Sequence, residues 1–238
     1  MSPAKKAEYD KLLAKFQKRA GVEFKNTDLL RTAFTHRSFL NESKSGLREH
    51  NERLEFLGDA VLELIVTDHL YKQFPHAHEG DLTGYRAALV NAVMLGEIAE
   101  SLGMNACLLL SKGEAKDTGR ARANILANTF EAVTGAIFLD HGYGAAEKFV
   151  MGHVLPRIAE VLKKELWRDA KSAFQELAQD KYGITPKYKT VKAEGPDHDK
   201  HFVVEVVVGE VVLAEGQGKS KQEAEQSAAQ AALKQNKK

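Results

Sequence analysis

The stretch that most constrains this chain is residues 51–62, NERLEFLGDAVL. Glu52, Glu55 and Asp59 are spaced i, i+3 and i+7, which on an α-helix places the three carboxylates on one face. Apolar side chains occupy another side of the same helix, and Gly58 allows a neighbouring backbone to approach closely. A core-facing helix rarely carries three acids in one stripe, because unpaired buried charge is costly. The spacing therefore predicts either a solvated charged face or a site for a hard metal ion.

A second informative stretch is residues 128–140, NTFEAVTGAIFLD. Asn128 and Glu131 are spaced i, i+3 and share one face of the predicted helix. Gly135 lies one turn further on and permits tight helix packing. Carboxylate and amide oxygens are the ligands that hard divalent ions prefer. If this helix faced the first one, the two would gather such ligands at one place.

Both stretches closely resemble motifs of the ribonuclease III family, the Mg²⁺-dependent endonucleases that cut double-stranded RNA. The segments THRSFLNES (35–43) and EGDLT (79–83) also resemble segments of that family. The resemblance implies an all-α endonuclease domain that uses Mg²⁺, with Mn²⁺ able to substitute. It also implies residue roles: Asp59 and Glu131 as catalytic groups, Glu55, Asn128 and Glu131 as metal ligands, and Glu52 and Glu79 as supporting acids.

Asn128 departs from the pattern of many family members, which have aspartate there. An asparagine carbonyl still binds Mg²⁺ but removes one negative charge from the site. We therefore expect weaker intrinsic metal affinity than an all-carboxylate site would have, without loss of the chemistry.

The pattern changes from Asp169 onward to helix, three strands and helix. An amphipathic segment is followed by β-branched runs, and Gly209-Glu210 joins two of them as a hairpin. This α-β-β-β-α order resembles a double-stranded-RNA-binding domain, a small α+β fold. The alternative is a neutral α/β domain used for protein contacts.

The start of the last helix predicts a phosphate site. Ser220 and Glu223 form a capping-box pattern, which fixes the helix start there. Lys219 and Lys221 crowd the positive end of the helix dipole, an unfavourable placement that a bound phosphate relieves. By resemblance, contacts to RNA minor grooves come from other positions as well. The predicted RNA-binding residues are Gln175, Glu176, His198, Lys219, Ser220 and Lys221.

Two further side chains have competing interpretations. By resemblance, Phe56 is a contact across a symmetric homodimer with two sites along one RNA-binding valley; the alternative is an ordinary core phenylalanine. His36 precedes the first motif, and we favour a structural role in that turn over a catalytic one. Residues 84–103 are predicted to be helical and to end near Gly103. Residues 145–166 are predicted to be a final helix of the first domain, with Pro156 as a bend or break.

Composition limits the classes of protein that this chain can be. The 238 residues carry a net charge of +1, and from Asp169 to Lys238 eleven lysines balance eleven acids. RNA binding must therefore come from local placement of charge. The single Cys107 excludes an internal disulfide, and no run of about eighteen apolar residues predicts a membrane span. We expect a cytoplasmic protein of two domains, 1–166 (endonuclease) and 167–238 (RNA-binding).

The predicted function is Mg²⁺-dependent hydrolysis of phosphodiester bonds in double-stranded RNA. By resemblance, the products carry 5′-phosphate and 3′-hydroxyl ends with short 3′ overhangs, and the substrates include ribosomal RNA precursors. The alternative is a non-catalytic protein that binds double-stranded RNA on the same fold. Clustered acids near phosphates favour the enzyme, because like charge repels RNA unless a cation intervenes.

Overall fold

The computed structural model of the chain describes residues 3–42, 49–164, 170–196 and 200–236. The chain divides into two compact units, Met1–Trp167 and Arg168–Lys238. Each unit has its own cluster of buried apolar side chains.

In the described part of the first unit the regular structure is helical, apart from an isolated β-bridge between Thr35 and Leu109. Short 3₁₀ turns at Met104–Cys107, Glu114–Lys116 and Leu155–Arg157 connect some of its helices. Its α-helices are α1 (Pro3–Ala20), α2 (Thr27–Ala33), α3 (Arg37–Glu42), α4 (Glu52–Gln73), α5 (Glu79–Val90), α6 (Ala92–Ser101), α7 (Arg120–His141), α8 (Tyr143–His153) and α9 (Ile158–Lys163).

The centre of this unit is the crossing of α4 and α7. A Cβ atom placed on Gly58 of α4 would overlap the backbone oxygen of Glu131 and lie 2.8 Å from the nitrogen of Gly135. A Cβ atom on Gly135 would in turn meet the backbone of α4, including the nitrogen of Gly58 at 3.0 Å. The absence of side chains at these two glycines therefore brings the two backbones into direct contact.

Residues 84–103 are helical up to Ser101, as predicted, but Asn91 divides them between α5 and α6, a break that the prediction did not include. The Asn91 backbone is extended, and its side-chain oxygen accepts a hydrogen bond from the Met94 N–H at 2.9 Å. Its side-chain NH₂ donates to the carbonyl of Ala88 at 3.0 Å. One asparagine thus caps the end of α5 and the start of α6. The segment around Pro156 is broken rather than bent, with the last 3₁₀ turn between α8 and α9.

The second unit has the predicted α-β-β-β-α order. Helix α10 (Ala170–Tyr182) precedes β1 (Lys187–Glu194), β2 (His201–Val208) and β3 (Val211–Gly218), and α11 (Lys221–Asn236) follows them. The strands form an antiparallel sheet in the order β1-β2-β3.

One face of this sheet packs on the two helices. Phe174 of α10, Val206 of β2 and Ala228 of α11 are fully buried between the layers. Gly209, with φ +63°, makes the tight turn between β2 and β3. The predicted fold class, a helical nuclease domain followed by a small α+β domain, is confirmed.

Within the described ranges, no helix is both long and apolar enough to cross a membrane. Cys107 is a free, buried thiol, and burial raises its pKa to about 11.

Candidate functional site

The α4–α7 crossing brings four of the predicted site residues into one cluster. Glu55 and Glu131 are half-buried, whereas Asp59 and Asn128 are exposed. Burial raises the pKa of the Glu131 carboxyl to about 7, and the negative charges of Asp59 and Glu55 add to that rise. A charge effect of this kind requires the carboxylates of the two helices to lie near one another.

Asn128 is connected to this cluster by a hydrogen bond. Its side-chain amide donates to the Glu55 carboxylate. This contact favours the ionised carboxylate and so lowers its pKa, against other influences that raise it. Those influences are burial, which is the largest, and the charges of Glu52 and Asp59, and together they raise the Glu55 pKa. Because an aspartate cannot donate in this way, the amide has a role here that a carboxylate would lack.

The donor set fits a hard divalent ion in its chemistry. All four side chains present oxygen atoms, and three of them are acids that repel one another. Across the described part of the chain, no three His, Cys, Asp or Glu side chains converge as a ready-made metal cage. The carboxylates are therefore close enough to raise one another's pKa values, but they do not converge on a single point. Mg²⁺ does not need such a cage, since it usually takes one or two carboxylates, retained waters and substrate phosphates.

The two predicted supporting acids lie in different places. Glu52 is beside the cluster, because its charge acts on Glu55, while its Oε1 accepts a hydrogen bond from Arg37 Nη1 at 3.3 Å. Glu79 is exposed at the start of α5, and its Oε1 accepts from the Thr83 hydroxyl at 3.2 Å. Glu79 is not among the charges that raise the pKa of Glu131.

Glu63 is an acid of this region that the sequence interpretation missed. Its negative charge also raises the pKa of Glu131. The signal was present in the spacing, since Glu63 follows Asp59 by four residues and continues the acidic stripe of α4.

Phe56 is not a core residue. Its side chain is 82% exposed, which removes the interpretation as ordinary packing. Beside it lies a pocket whose apolar lining includes Leu29, Leu57 and Leu139. The lining also includes charged side chains, among them Glu49 and Arg53. An exposed aromatic ring beside leucines, with polar residues around them, is typical of a surface that binds a partner.

His36 has a structural environment. Its Nδ1 lies 2.8 Å from the Ser38 hydroxyl oxygen, which also accepts a hydrogen bond from the Ser111 N–H at 3.1 Å. The His36 N–H donates to the carbonyl of Leu109 at 3.1 Å. Burial lowers the pKa of the imidazole. These contacts link the turn between α2 and α3 to the distant segment around Leu109 and Ser111, which supports the structural role.

The predicted RNA-binding residues at the start of α11 are exposed. Ser220 Oγ accepts a hydrogen bond from the Glu223 N–H at 3.2 Å, as a helix cap does. The returning bond of a capping box is displaced by one residue, because Glu223 Oε2 accepts from the Lys219 N–H at 2.8 Å. Lys219 and Lys221 therefore flank a helix N-terminus that is capped but open to solvent.

Gln175 and Glu176 are exposed on α10, next to the buried Phe174 in the chain. They line a shallow groove with Ser172 and other polar residues of the same helix. His198 lies outside the described residues.

Comparisons with known proteins agree with this arrangement. The model of the family described as "Ribonuclease-III-like" matches residues 26–158, and that of the double-stranded RNA binding motif matches residues 170–236. The chain belongs to the ribonuclease III family.

Relatives in this family match almost the whole chain. Ribonuclease 3 of Borreliella burgdorferi is 46% identical over 224 residues, which cover 93% of this chain and 90% of the relative. Ribonuclease 3 of Treponema pallidum is 45% identical over 225 residues, covering 94% and 88% respectively. Among solved structures, the nuclease domain of ribonuclease III from Campylobacter jejuni has a TM-score of 0.54 and 40% identity. That match covers 60% of this chain and 95% of that domain, which is described as flexible in a region involved in dimer formation.

The chain is therefore a ribonuclease, a hydrolase of phosphodiester bonds, and its second unit is a double-stranded-RNA-binding domain. Its family is generally metal-dependent. The prediction of an enzyme is confirmed, and the non-catalytic alternative is not supported.

Proposed function

We propose that this ribonuclease cleaves double-stranded RNA with Mg²⁺, with Mn²⁺ able to substitute. The products would carry 5′-phosphate and 3′-hydroxyl ends with short 3′ overhangs, and the substrates would be ribosomal RNA precursors and other structured RNAs of the cytoplasm. The observation that carries the proposal is the cluster of Glu55, Asp59, Asn128 and Glu131 at the α4–α7 crossing.

The chemistry of the cluster supports a cation there. A bound divalent ion makes a water nucleophilic at neutral pH and neutralises charge that develops on the phosphate. In this proposal Glu55, Asn128 and Glu131 hold the ion, and Asp59 and Glu131 are the catalytic groups. With a pKa of about 7, the Glu131 carboxyl retains a proton over part of the neutral range, and that proton must leave when the carboxylate becomes a ligand.

The other acids assist at a distance. Glu52 acts on Glu55 through its charge and is bonded to Arg37, so it suits a role in orienting water near the ion. Glu79 is retained in the proposal as an outer acid, which would reach the site when RNA and the cation are present.

RNA binding is assigned to the second unit. We place the domain boundary so that residues 1–166 are the endonuclease and residues 167–238 the RNA-binding domain. Lys219, Ser220 and Lys221 would hold a phosphate at the N-terminus of α11. The exposed groove of α10 would contact 2′-hydroxyls of one minor groove through Gln175 and Glu176, and His198 would reach another minor groove.

The proposal includes a homodimer. Phe56 is exposed beside a pocket that is lined by leucines and by charged side chains of the same surface. In a two-fold symmetric pair, each ring can enter the pocket of the partner, since such an interface uses the same patch twice.

One experiment tests the catalytic part. Purified full-length protein is incubated with long duplex RNA in Mg²⁺ or in EDTA, alongside the variants Asp59→Asn and Glu131→Gln. We expect cleavage that needs the divalent ion and that both variants lose, while both still bind the duplex. Binding without cleavage in Mg²⁺ and in Mn²⁺ would contradict the proposal, as would full activity of either variant. End-labelled products test the proposed ends and overhang.

A further inference from the structure

Helix α1 carries an excess of positive charge that the assignments above do not use. It has six basic side chains and two acids, a net charge of +4. The other residues of the first unit, 21–167, have sixteen basic and twenty acidic side chains, a net charge of −4. The excess of positive charge in this unit is therefore concentrated on one helix.

Three lysines form one exposed face of α1. Successive residues of an α-helix are rotated by about 100°, so Lys11, Lys15 and Lys18 fall within an arc of about 60°. This arc lies opposite the core side of the helix, where Leu13 and Phe16 are buried. All three lysines are exposed, and from the first to the last they span about 10 Å along the helix axis. We call these three residues the basic face of α1.

The basic face is not neutralised by neighbouring acids. Among the residues that the structure describes, none forms a hydrogen bond or an ion pair with a side chain of this face. Of the two acids of α1, Asp10 is paired with Arg31 of α2 at 2.9 Å. Glu8 is exposed one turn before Lys11, and a single acid leaves an excess of positive charge on this side of the helix.

The stability of the helix does not explain these lysines. Like charges spaced i, i+4 or i, i+3 repel one another and destabilise a helix, and both spacings occur in this row. The helix dipole favours Lys18, which lies in the last turn, but its effect does not reach as far as Lys11 and Lys15. An anionic partner would remove the repulsion, so the arrangement is suited to binding one.

The partner that fits the basic face is a nucleic-acid duplex. A duplex presents a dense row of phosphates, which lysines contact without reading the base sequence. The second unit of this chain is already a double-stranded-RNA-binding domain. A lipid surface fits less well, because a helix that lies in a membrane interface needs exposed apolar side chains. In the described part of α1, the large apolar side chains are buried or half-buried.

We propose that Lys11, Lys15 and Lys18 form a further RNA-binding surface, which contacts phosphates of the duplex in addition to the contacts of the second unit. The proposal deepens the proposed function: it rests on the duplex substrate but not on the cation site. The remainder of the first unit is negatively charged and repels RNA. The basic face offsets that repulsion and adds an attraction that is the same for every duplex sequence.

The test measures duplex binding in EDTA. Full-length protein is titrated into labelled duplex RNA at several salt concentrations and followed by fluorescence anisotropy. Lys11→Gln/Lys15→Gln should bind about three- to ten-fold more weakly at low salt, and the slope of the logarithm of its binding constant against the logarithm of salt concentration should be smaller by about 1–2. Lys11→Arg/Lys15→Arg keeps both charges and should bind as the native protein does.

The matched control is Lys148→Gln/Lys163→Gln. It removes the same charge from two exposed lysines of α8 and α9 in the same unit, so it should bind with the affinity and the salt slope of the native protein. Equal losses in the two glutamine variants would overturn the proposal, because net charge alone would then explain the effect. Unchanged affinity and salt slope of Lys11→Gln/Lys15→Gln would overturn it as well.

Two further measurements exclude other causes. Thermal unfolding should show Lys11→Gln/Lys15→Gln to be as stable as the native protein or more so, because a repulsion between like charges has been removed; a lower melting temperature would refute the proposal. Vesicles of anionic phospholipid test the other polyanion. Vesicle binding that this variant loses while it binds RNA as the native protein does would assign the face to a membrane instead.

Failure of this proposal and failure of the proposed function give different results. If the native protein binds duplex RNA in EDTA through the basic face but does not cleave it in Mg²⁺, the face is supported and the proposed cleavage fails. If the protein cleaves the duplex and the basic face makes no contribution to binding, the proposed function is supported and the face is refuted.

Discussion

Replacing Glu131 by glutamine should stabilise the protein at high pH when divalent ions are removed. The folded-state pKa of Glu131 is about 7, against 4.5 for an ordinary glutamate, because the carboxyl is buried beside Asp59 and Glu55. Below the unfolded-state value both states are protonated, and the group has no effect on stability. As the pH rises through the interval between the two values, the unfolded chain loses its proton first, so the free energy of unfolding falls.

The size of the effect follows from the two pKa values. The difference between the folded-state and unfolded-state pKa values corresponds to a loss of at most about 3 kcal/mol in the free energy of unfolding. Glu131 is only partly buried, so solvent screens the charge, and we expect about 1–2 kcal/mol. For a unit of this size, that is a rise in melting temperature of about 2–8 °C for Glu131→Gln above neutral pH. Near pH 5, only a little above the unfolded-state value, most of this difference should disappear, because the native carboxyl is then uncharged like the amide.

The assay is thermal unfolding in EDTA at pH 5 and at pH 8, for the native protein and Glu131→Gln. Glu8→Gln removes the same charge from an exposed turn of α1 and serves as the control. Equal stability of Glu131→Gln and the native protein at pH 8 would refute the account of the cluster. A gain of the same size at both pH values would refute it too, because charge on Glu131 would then not be the cause.

Three further predictions concern the crossing, the RNA surface and the dimer. Gly58→Ala should lower the free energy of unfolding by about 1–3 kcal/mol and abolish cleavage, because the new methyl group pushes α4 away from α7. The control in denaturant unfolding is Gly80→Ala, whose new methyl group would meet nothing within 4 Å. If the two variants lost the same amount of stability, the close contact at the crossing would be contradicted. The double variant Lys219→Ala/Lys221→Ala should bind all duplex sequences more weakly in fluorescence anisotropy. The slope of the logarithm of its binding constant against the logarithm of salt concentration should be smaller by about 1–2. A loss of binding for only some sequences would contradict the phosphate assignment. Phe56→Ala should shift the protein towards monomer in sedimentation velocity without loss of folding, and an unchanged dimer would rule out the proposed contact.

Much of the architecture could be predicted because its signals are local. The acidic stripe of α4, the i, i+3 pair of α7 and the alternation of the strands are all short-range patterns. The break at Asn91 was missed because the residues on both sides of it favour a helix. It is visible only in the hydrogen bonds by which the Asn91 side chain caps α5 and α6. The capping box of α11 was predicted to close on Ser220, but the Glu223 side chain bonds the amide of Lys219.

The composition of the site depended on tertiary structure. Sequence spacing ordered the acids within α4 but could not show which of them face α7. Glu63 acts on Glu131, whereas Glu79 lies at the start of another helix and does not. The hydrogen bond from Asn128 to Glu55 joins two helices, so no pattern within either of them could predict it.

The hydrogen bond from the Lys219 N–H to the Glu223 side chain limits the number of phosphate groups that the N-terminus of α11 can bind. The Glu223 N–H is satisfied by Ser220, and the Lys219 N–H is satisfied by Glu223. Among the first residues of the helix, Lys221 and Gln222 have backbone N–H groups that lack intrahelical acceptors. Two adjacent donors match the oxygens of a single phosphate group. We therefore expect the backbone at this helix terminus to bind one phosphate of an RNA strand. The neighbouring phosphates would be contacted by the lysine side chains alone.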